Sequence, residues 1–170
     1  MPISLNAGEA LPVTTLQLVG GGEMLLGGDA GWRLLVVYRG KHCPLCKKYL
    51  TKLEGLQSKF GDAGASIVAI SGDPLEKAES DRAELSLSFP VAYGLSLEQM
   101  RQWGLYVSSP RSDQETDRAF AEPGLFLLRP DGNIQIVDIS NAPFARPDLE
   151  TILLGLTMAI EKGYPVRGTA

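Results

Sequence analysis

The stretch Arg33-Leu34-Leu35-Val36-Val37-Tyr38-Arg39-Gly40-Lys41-His42-Cys43-Pro44-Leu45-Cys46 contains the change of pattern that decides the fold. Its first part, residues 33–38, is a nearly continuous apolar run, which predicts a central strand buried on both faces of an α/β sheet. After Pro44, apolar residues recur every three or four positions up to Phe60, which predicts an amphipathic helix. Proline suits the first position of a helix, so we place the helix start at Pro44.

The same signals alternate along the rest of the chain. A second apolar run at 65–71 predicts another buried strand, and Ser96 followed by Gln99 is the pattern of a capping box. The Pro-Asp-Gly turn at 130–132 predicts an antiparallel pair of strands on either side of it. Alternating strands and helices predict parallel β/α winding. The other predicted elements are a hairpin of strands 15–19 and 23–26, a helix from about 74 to 87, a short segment at 89–93, a helix at 96–103, strands 124–128 and 134–139, a helix from Pro147 to Gly163, and an irregular loop at 105–122 that we expect to act as a lid or an interface element.

Length and composition exclude several classes of function. The chain has 170 residues, of which 44% are hydrophobic and 21% charged, so we expect one folded domain over residues 1–170. The net charge is −4 and no long block of like charge occurs, which argues against binding to nucleic acid or to a membrane surface. No apolar run approaches the roughly 20 residues of a membrane span. The first residues lack the pattern of a secretion signal, so we expect a cytoplasmic protein.

Both cysteines of the chain lie in the tetrapeptide Cys43-Pro44-Leu45-Cys46. A disulfide scaffold would spread several pairs along the sequence. A zinc site needs more ligands than these thiols and the one histidine, His42, supply. We therefore expect neither a metal nor another cofactor. Incidental burial of two small apolar side chains is the structural alternative to a chemical role.

The position of the pair at the start of a helix predicts thiol redox chemistry. Unpaired N–H groups and the helix dipole stabilise a thiolate at Cys43 and lower its pKa. Cys46, at the third helical position, is placed to attack a mixed disulfide at Cys43, so the pair cycles between dithiol and disulfide. His42 either tunes the charge of the thiolate or is a solvent-facing loop residue. Several basic residues around the motif add positive potential: Arg39, Lys41, His42, Lys47 and Lys48.

The segment from Val37 to Cys46, with the helix after it, resembles the active-site segment of the alkyl hydroperoxide reductase/thiol-specific antioxidant (AhpC/TSA, redoxin) family, in particular its peroxiredoxin-like Cys-Pro-x-Cys branch. Residues 67–73, 89–91, 126–132 and 146–148 extend the resemblance over about residues 16–156. It implies an α/β, thioredoxin-like fold with a mixed central sheet, helices on both faces and an N-terminal β-hairpin. It also implies a redox function.

The resemblance to the peroxide-reducing members is incomplete. Their motif Pro-x-x-x-Thr-x-x-Cys would place Arg39 at the proline, Cys43 at the threonine and Cys46 at the peroxide-reactive cysteine. The arginine that these members carry before a Gly-x-Phe strand corresponds to Pro123, and Arg118 or Arg39 would have to substitute for it. Pro123 fits the thioredoxin-like thiol/disulfide oxidoreductases instead, which carry a cis-proline here. We therefore predict a cis-proline that lies against Cys43 and Cys46, with a plain proline ending the loop as the alternative.

Three functions are compatible with these residues. The first hypothesis is a thiol/disulfide oxidoreductase in which Cys43 attacks, Cys46 resolves and Pro123 forms the substrate-side loop. The alternative is a peroxiredoxin-like antioxidant, in which Cys46 (or Cys43) attacks the peroxide, passes through a sulfenic acid and is resolved by its neighbour as an intramolecular disulfide. A non-enzymatic redox sensor is the third. The expected partners are a protein or small-molecule thiol/disulfide or peroxide substrate, a thiol reductant and, as one possible assembly, a second copy in a homodimer.

Overall fold

A mixed seven-stranded sheet carries the cysteine-containing turn at its centre. The computed structural model describes residues 5–27 and 30–170. Its strands follow the order β2-β1-β5-β4-β3-β8-β9, and β6 pairs with β7 in a separate ribbon. The elements are β1 (Thr14–Leu18), β2 (Glu23–Leu26), β3 (Trp32–Val37), α1 (Pro44–Ala63), β4 (Ala65–Ile70), α2 (Leu75–Glu84), β5 (Val91–Tyr93), α3 (Leu97–Gln102), β6 (Val107–Ser108), β7 (Phe120–Ala121), β8 (Gly124–Leu128), β9 (Ile134–Ile139) and α4 (Leu149–Lys162).

Strand β3 lies in the middle of the sheet because its residues are apolar on both faces. It runs parallel to β4, where Leu35 faces Val68, and antiparallel to β8, where Leu35 faces Phe126. Its residues from Leu34 to Val37 are at most 1% exposed. The prediction of a central strand buried on both faces is confirmed. The chain therefore leaves the middle of the sheet at Tyr38 and enters the turn that leads to α1.

Two apolar clusters, one on each face of the sheet, hold the helices against it. Alternate residues of β3 point to opposite faces, Leu34 into the first cluster and Leu35 into the second. The first cluster receives the buried faces of α1 and α4, including Leu53 and Leu156. The second receives Trp103 at the end of α3. Removing a side chain such as Leu53 from a core costs about 2–5 kcal/mol. Helices on both faces of a mixed sheet confirm the thioredoxin-like architecture.

Two helices differ from prediction at their ends. Helix α4 begins at Leu149, two residues later than predicted, because Asp148 accepts a hydrogen bond from the Thr151 N–H at 3.0 Å and so is the N-cap. Helix α2 covers Leu75–Glu84 and stops short of residue 87, where the chain turns through Ser86 with φ of 51°. Among residues 5–27 and 30–170, no helix combines the length and the apolar character of a membrane span.

The sequence predicts one irregular loop at 105–122, but the structure contains a short strand pair within this segment. Strands β6 and β7 pair antiparallel within it, with Val107 opposite Ala121 and Ser108 opposite Phe120. The ribbon is short, but it fixes the residues that follow it. It holds Glu122 beside the turn after β3, where the carboxylate meets Arg39.

The turn between β3 and α1 is fixed by a carboxylate from the next loop of the sheet. Asp73, which follows β4, accepts a hydrogen bond from the backbone N–H of Lys41 at 2.7 Å. Gly40 has φ of +138°, and a Cβ atom there would lie 2.7 Å from Oδ1 of Asp73. Only glycine combines this backbone angle with this close approach. The turn therefore places the cysteine segment relative to the sheet.

We expect Gly40→Ala to lower the free energy of unfolding by about 1–3 kcal/mol, because it introduces both backbone strain and a clash with Asp73. Urea unfolding of the reduced protein measures this. Gly55→Ala is a matched control, since Gly55 is an exposed position inside α1 with no other atom within 4 Å of an added Cβ. Helix propensity predicts that this control raises the stability by roughly 0.8–1 kcal/mol. Equal stability of Gly40→Ala and the wild type would contradict the described turn.

Candidate active site

The two thiols are held by the first turn of α1. Cys43 is the N-cap of the helix, and its Sγ accepts a hydrogen bond from the Cys46 N–H at 3.2 Å. Pro44 occupies the first helical position, where its missing N–H costs no hydrogen bond. Both cysteines are free thiols, and they are 1% and 0% exposed, respectively. The predicted placement of the pair at a helix start is therefore present, but both sulfurs are buried.

The two sulfurs share one proton. The pKa of Cys43 is lowered to about 6, mainly because the Cys46 thiol donates a hydrogen bond to it; burial opposes this effect, and the Cys46 N–H, Arg39 and Arg146 support it. Burial, and the hydrogen bond to Cys43, raise the pKa of Cys46. At neutral pH the pair therefore holds one thiolate, centred on Cys43, and one thiol. This agrees with the predicted direction for Cys43, although its neighbouring cysteine contributes more than the surrounding lysines.

Arg39 lies at the site, and its charge is already paired. Its Nε is 3.0 Å from a carboxylate oxygen of Glu122, and its guanidinium lies 4.7 Å above the Phe120 ring. Ser108 donates a further hydrogen bond to Glu122 at 2.7 Å. Arg39 also lowers the pKa of Cys43. The β6–β7 ribbon therefore fixes one cationic side chain next to the thiolate.

His42 packs on an aromatic ring and makes no hydrogen bond to either sulfur. Its ring centroid is 4.5 Å from that of Phe120 in an edge-to-face arrangement. Both ring nitrogens are buried and have no hydrogen-bond partner among the described residues. Burial lowers the pKa of His42, and the nearby positive charge of Arg39 lowers it further. His42 is therefore neutral at pH 7.

Pro123 is not a cis-proline, and that prediction is wrong. The described residues contain no cis peptide bond. The chain runs extended from β7 into β8, and the N–H of Glu122 bonds to the Tyr106 carbonyl at 2.8 Å, which a trans connection accommodates. Pro123 is buried, and its carbonyl accepts a hydrogen bond from the N–H of Ser140 at 3.0 Å. It lines a small cavity together with Arg146.

Arg146 is the site residue that sequence reasoning missed. Its Nη2 lies 2.9 Å from Sγ of Cys46 and 4.0 Å from Sγ of Cys43. The guanidinium lies 4.9 Å above the ring of Tyr49, whose hydroxyl donates to the Pro147 carbonyl at 2.7 Å. The only sequence signal was its place in the Arg-Pro-Asp segment before α4, which marks a helix start and says nothing about the cysteines.

The candidate that the sequence offered as a substitute arginine lies elsewhere. Arg118 pairs with Asp117 at 2.9 Å and is 43% exposed. Distance along the sequence therefore does not predict which of the two arginines lies near the thiols. Arg118 is closer in sequence to the position of Pro123, but Arg146 reaches the sulfurs because α4 packs beside α1.

A buried carboxylate lies behind the motif. Asp81 on α2 is 1% exposed, neither of its carboxylate oxygens has a hydrogen bond, and its closest cation is Nζ of Lys47 at 3.7 Å. Burial raises the pKa of Asp81 to about 6, against the effect of Lys47. Lys47 is also 3.0 Å from Glu84. We expected Lys47 to add positive potential at the thiolate. In the structure it lies beside the carboxylates of Asp81 and Glu84 on α2 instead.

Among residues 5–27 and 30–170, no group of three or more His, Cys, Asp or Glu side chains is arranged to hold a metal ion. The candidate site consists of two thiols and two arginines, and Pro123 and Tyr49 line the small cavity that Arg146 also borders.

This combination of a thioredoxin-like fold with a thiol pair at the start of the helix after the central strand defines the class of thiol-based redox proteins. Residues 7–137 match the AhpC/TSA family, and the chain belongs to that family. The family predicted from the sequence is thus confirmed. Arg146 lies beyond the matched residues.

Relatives of known sequence or structure agree with this assignment. A curated Mycobacterium tuberculosis protein named as a peroxiredoxin is 30% identical over 103 residues, which is 60% of this chain and 66% of that protein. The match therefore spans just under two thirds of that relative. Among solved structures, peroxidoxin BcpB from Mycobacterium tuberculosis has a TM-score of 0.74 at 20% identity, covering 89% of this chain and 96% of that chain. A cysteine-to-serine mutant of peroxiredoxin 6 from Arenicola marina has a TM-score of 0.76 at 16% identity, covering 94% and 75%. At these identities the likeness concerns the fold.

Replacing Cys46 tests the shared proton. We expect Cys46→Ala to raise the pKa of Cys43 from about 6, because the largest stabilising hydrogen bond is lost. Cys46→Ser should raise it less, since the serine hydroxyl still donates. The pH dependence of alkylation at Cys43, located by peptide mass spectrometry, measures all three proteins. A wild-type value near the ~8.5 of a free thiol would contradict the arrangement.

Because the pKa of Asp81 is raised, we expect the free energy of unfolding to fall as the pH rises. Below about pH 4 this carboxyl is protonated in both states, since its unfolded pKa is about 3.9. Between pH 4 and about 6 it keeps its proton only in the folded protein. The unfolded state then binds fewer protons, so the free energy of unfolding falls as the pH rises through this window.

Asp81→Asn should remove this fall, whereas Glu84→Gln, at an exposed position beside the same lysine, should retain it. Urea unfolding at several values between pH 4 and 7 makes the comparison. Parallel stability curves for wild type and Asp81→Asn would show that Asp81 titrates normally.

Proposed function

We propose that the protein is a thiol-dependent redox enzyme that reduces peroxides and, in doing so, oxidises Cys43 and Cys46 to a disulfide. One observation carries the proposal: Sγ of Cys43 accepts the Cys46 N–H at 3.2 Å at the start of α1, in a site where neither cysteine is more than 1% exposed. A thiolate in this setting is reactive at neutral pH. Its burial restricts the oxidising substrate to a small one.

The proposed reaction has two steps. The Cys43 thiolate attacks the terminal oxygen of a peroxide; an S–O bond forms, the O–O bond breaks, and sulfur loses the two electrons that the peroxide gains. The leaving oxygen takes up the proton of the Cys46 thiol and departs as water or an alcohol. The resulting Cys46 thiolate then attacks the sulfur of the Cys43 sulfenic acid; the S–S bond forms, the S–O bond breaks, and the leaving hydroxide takes a proton from solvent and departs as water.

The spacing of the two cysteines supports the second step. Cys43 is the N-cap and Cys46 lies on the first turn of the same helix, with the Cys46 N–H already bonded to Sγ of Cys43. The sulfurs therefore approach bonding distance with little movement of the backbone. A small external thiol reductant, which needs less access than a protein partner, completes the cycle by thiol–disulfide exchange.

A thiol/disulfide oxidoreductase is the second candidate, and the Cys-x-x-Cys pair at a helix start favours it. Attack on a protein disulfide needs a sulfur that a partner can reach, and Cys43 is 1% exposed. The trans geometry of Pro123 also removes one argument for a substrate-side loop of the thioredoxin type. A peroxide needs no such access. The family supports a peroxide and a thiol reductant as substrate classes. The proposal also includes a cytoplasmic location for the protein and its assembly as a homodimer.

Two assays under one dithiol reductant separate the candidates. We expect the wild type to consume hydrogen peroxide. The mass of the oxidised protein should then be lower by two hydrogens, with no added oxygen, as a disulfide requires. Cys43→Ser should lose turnover, and Cys46→Ser should react once and accumulate a sulfenic acid, detected by a dimedone-type probe. Insulin reduction without peroxide consumption would favour the second candidate. Stable over-oxidation of Cys46 in a Cys43→Ser protein that still turns over peroxide would move the nucleophile to Cys46.

A further inference from the structure

A groove beside the cysteine turn is lined by three cationic side chains. It lies between α1 and the segment that leads into α4, and its volume is about 490 Å³. That volume is within the usual range of a small-molecule site. The cationic residues in its wall are Lys48 and Lys52 of α1 and Arg146 of the opposite segment. The groove is therefore positive, although the chain as a whole has a net charge of −4.

The positive charge of the groove is only partly neutralised. Asp148 is the one carboxylate in the described wall, and it already pairs with Lys52 at 3.1 Å and accepts the Thr151 N–H at 3.0 Å. Lys48 is exposed and forms no ion pair within 4.0 Å in the described part of the chain. Cationic groups therefore outnumber carboxylates in the wall, and the groove fits an occupant with negative charge.

The same groove offers an apolar surface that the fold leaves uncovered. Phe144 is 84% exposed and Leu45 is 36% exposed, and both line the groove together with Pro143. Phe144 is the most exposed large apolar side chain among the described residues. Covering such a side chain with an apolar group of a ligand is favourable. An occupant with an apolar body next to its negative group therefore fits this groove best.

Arg146 connects the groove with the thiol pair. It lines the groove, and its Nη2 is 2.9 Å from Sγ of Cys46. Leu45, in the wall formed by α1, lies between the two cysteines in the sequence. Oxidation to the disulfide removes the negative charge that the pair presents to Arg146, so the guanidinium is then free to move aside. The groove therefore lies one side chain away from the sulfur that a reductant has to reach.

We propose that this groove binds the thiol reductant of the catalytic cycle, and that the reductant is a small thiol carrying a carboxylate on an apolar body. This proposal rests on the proposed function, which requires a reductant for the disulfide of Cys43 and Cys46. Lys48 attracts the carboxylate, and Leu45 and Phe144 cover the apolar body. The thiol end then points past Arg146 to Cys46.

Reduction consumes two molecules of this thiol. The first, as its thiolate, attacks Sγ of Cys46; a new S–S bond forms, the bond between the two cysteines breaks, and Cys43 leaves as a thiolate. Cys43 suits this role because its pKa is lower than that of Cys46. A second thiolate attacks the sulfur of the bound thiol and departs with it as a disulfide. Two electrons pass to the cysteines; of the two protons released, Cys46 takes one and solvent the other.

The test measures the reduction of a preformed protein disulfide by small thiols of different charge. Diamide forms the disulfide, so no peroxide is needed, and the excess is removed before the thiol is added. The probes are mercaptopropionate (negative), mercaptoethanol (neutral) and cysteamine (positive), each corrected for its rate with a neutral model disulfide. Acid quenching, alkylation and intact mass give the rate. We expect mercaptopropionate to react about 10-fold faster than mercaptoethanol at low ionic strength, with cysteamine slowest, and the differences to disappear near about 1 M salt.

Variants in the groove separate its charge from its apolar surface. Lys48→Gln should lower the corrected rate of mercaptopropionate by about fivefold, the effect of one unit charge at contact distance in water, and leave that of mercaptoethanol unchanged. Lys59→Gln is the matched control, because Lys59 is an exposed lysine of the same helix outside the groove. Mercaptohexanoate should exceed mercaptopropionate by roughly fourfold for each methylene that the groove buries, and Phe144→Ser should reduce this gain.

The outcomes distinguish this proposal from the function on which it rests. Equal corrected rates for mercaptopropionate and mercaptoethanol, or equal losses in Lys48→Gln and Lys59→Gln, would overturn the groove as the reductant site. A protein dithiol that reacts faster than every small thiol would overturn the assignment of a small reductant. Oxidation of the reduced protein by hydrogen peroxide should be the same in wild type and Lys48→Gln. A wild type that peroxide does not oxidise would remove the proposed function, whereas the thiol comparison, which needs no peroxide, would still decide the groove.

Discussion

The shared proton between two buried sulfurs is the interaction on which the rest of the site depends. Cys43 accepts from both the N–H and the thiol of Cys46, so the negative charge is held inside the protein by groups of its own helix. An isolated buried charge would cost several kcal/mol. The N-terminus of α1 and two guanidinium groups offset that cost. Each of these groups is present only because a different part of the sheet or its connections delivers it to one place.

The fold delivers these groups through three separate connections. The loop after β4 supplies Asp73, which fixes the turn before Cys43 through the Lys41 N–H. The β6–β7 ribbon supplies Glu122, which fixes Arg39. The segment after β9 supplies Arg146. The central position of β3 makes this convergence possible, since β4 and β9 end, and β8 begins, at the edge of the sheet where β3 ends.

Local features of the sequence were predicted well, and contacts over long sequence distances were not. The doubly buried strand β3, the start of α1 at Pro44 and the capping box of Ser96 and Gln99 each depend on residues within a few positions, and all are present. The partnership of Arg146 with Cys46 joins residues 100 positions apart, and that of Arg39 with Glu122 joins residues 83 apart. No periodicity or motif encodes such pairs. The prediction of a cis-proline was wrong because it rested on the position of Pro123 in the resemblance, while the local strand-to-strand connection decides the peptide geometry.

The polar atoms without partners cluster at this site, and their distribution is an argument in itself. Buried polar groups in native proteins are almost always hydrogen-bonded. Among the described residues, most exceptions lie on or next to the elements that hold the cysteines, including the His42 ring nitrogens, the Asp81 carboxylate and two donors of Arg146, while Nε1 of Trp103 lies in the second apolar cluster. A chain selected only for stability would replace them with apolar side chains at little cost. Sites that violate such local rules are the ones where function sets the requirement. The guanidinium of Arg146 is the clearest of these cases, because it lies against Cys46 while two of its buried donors have no partner among the described residues.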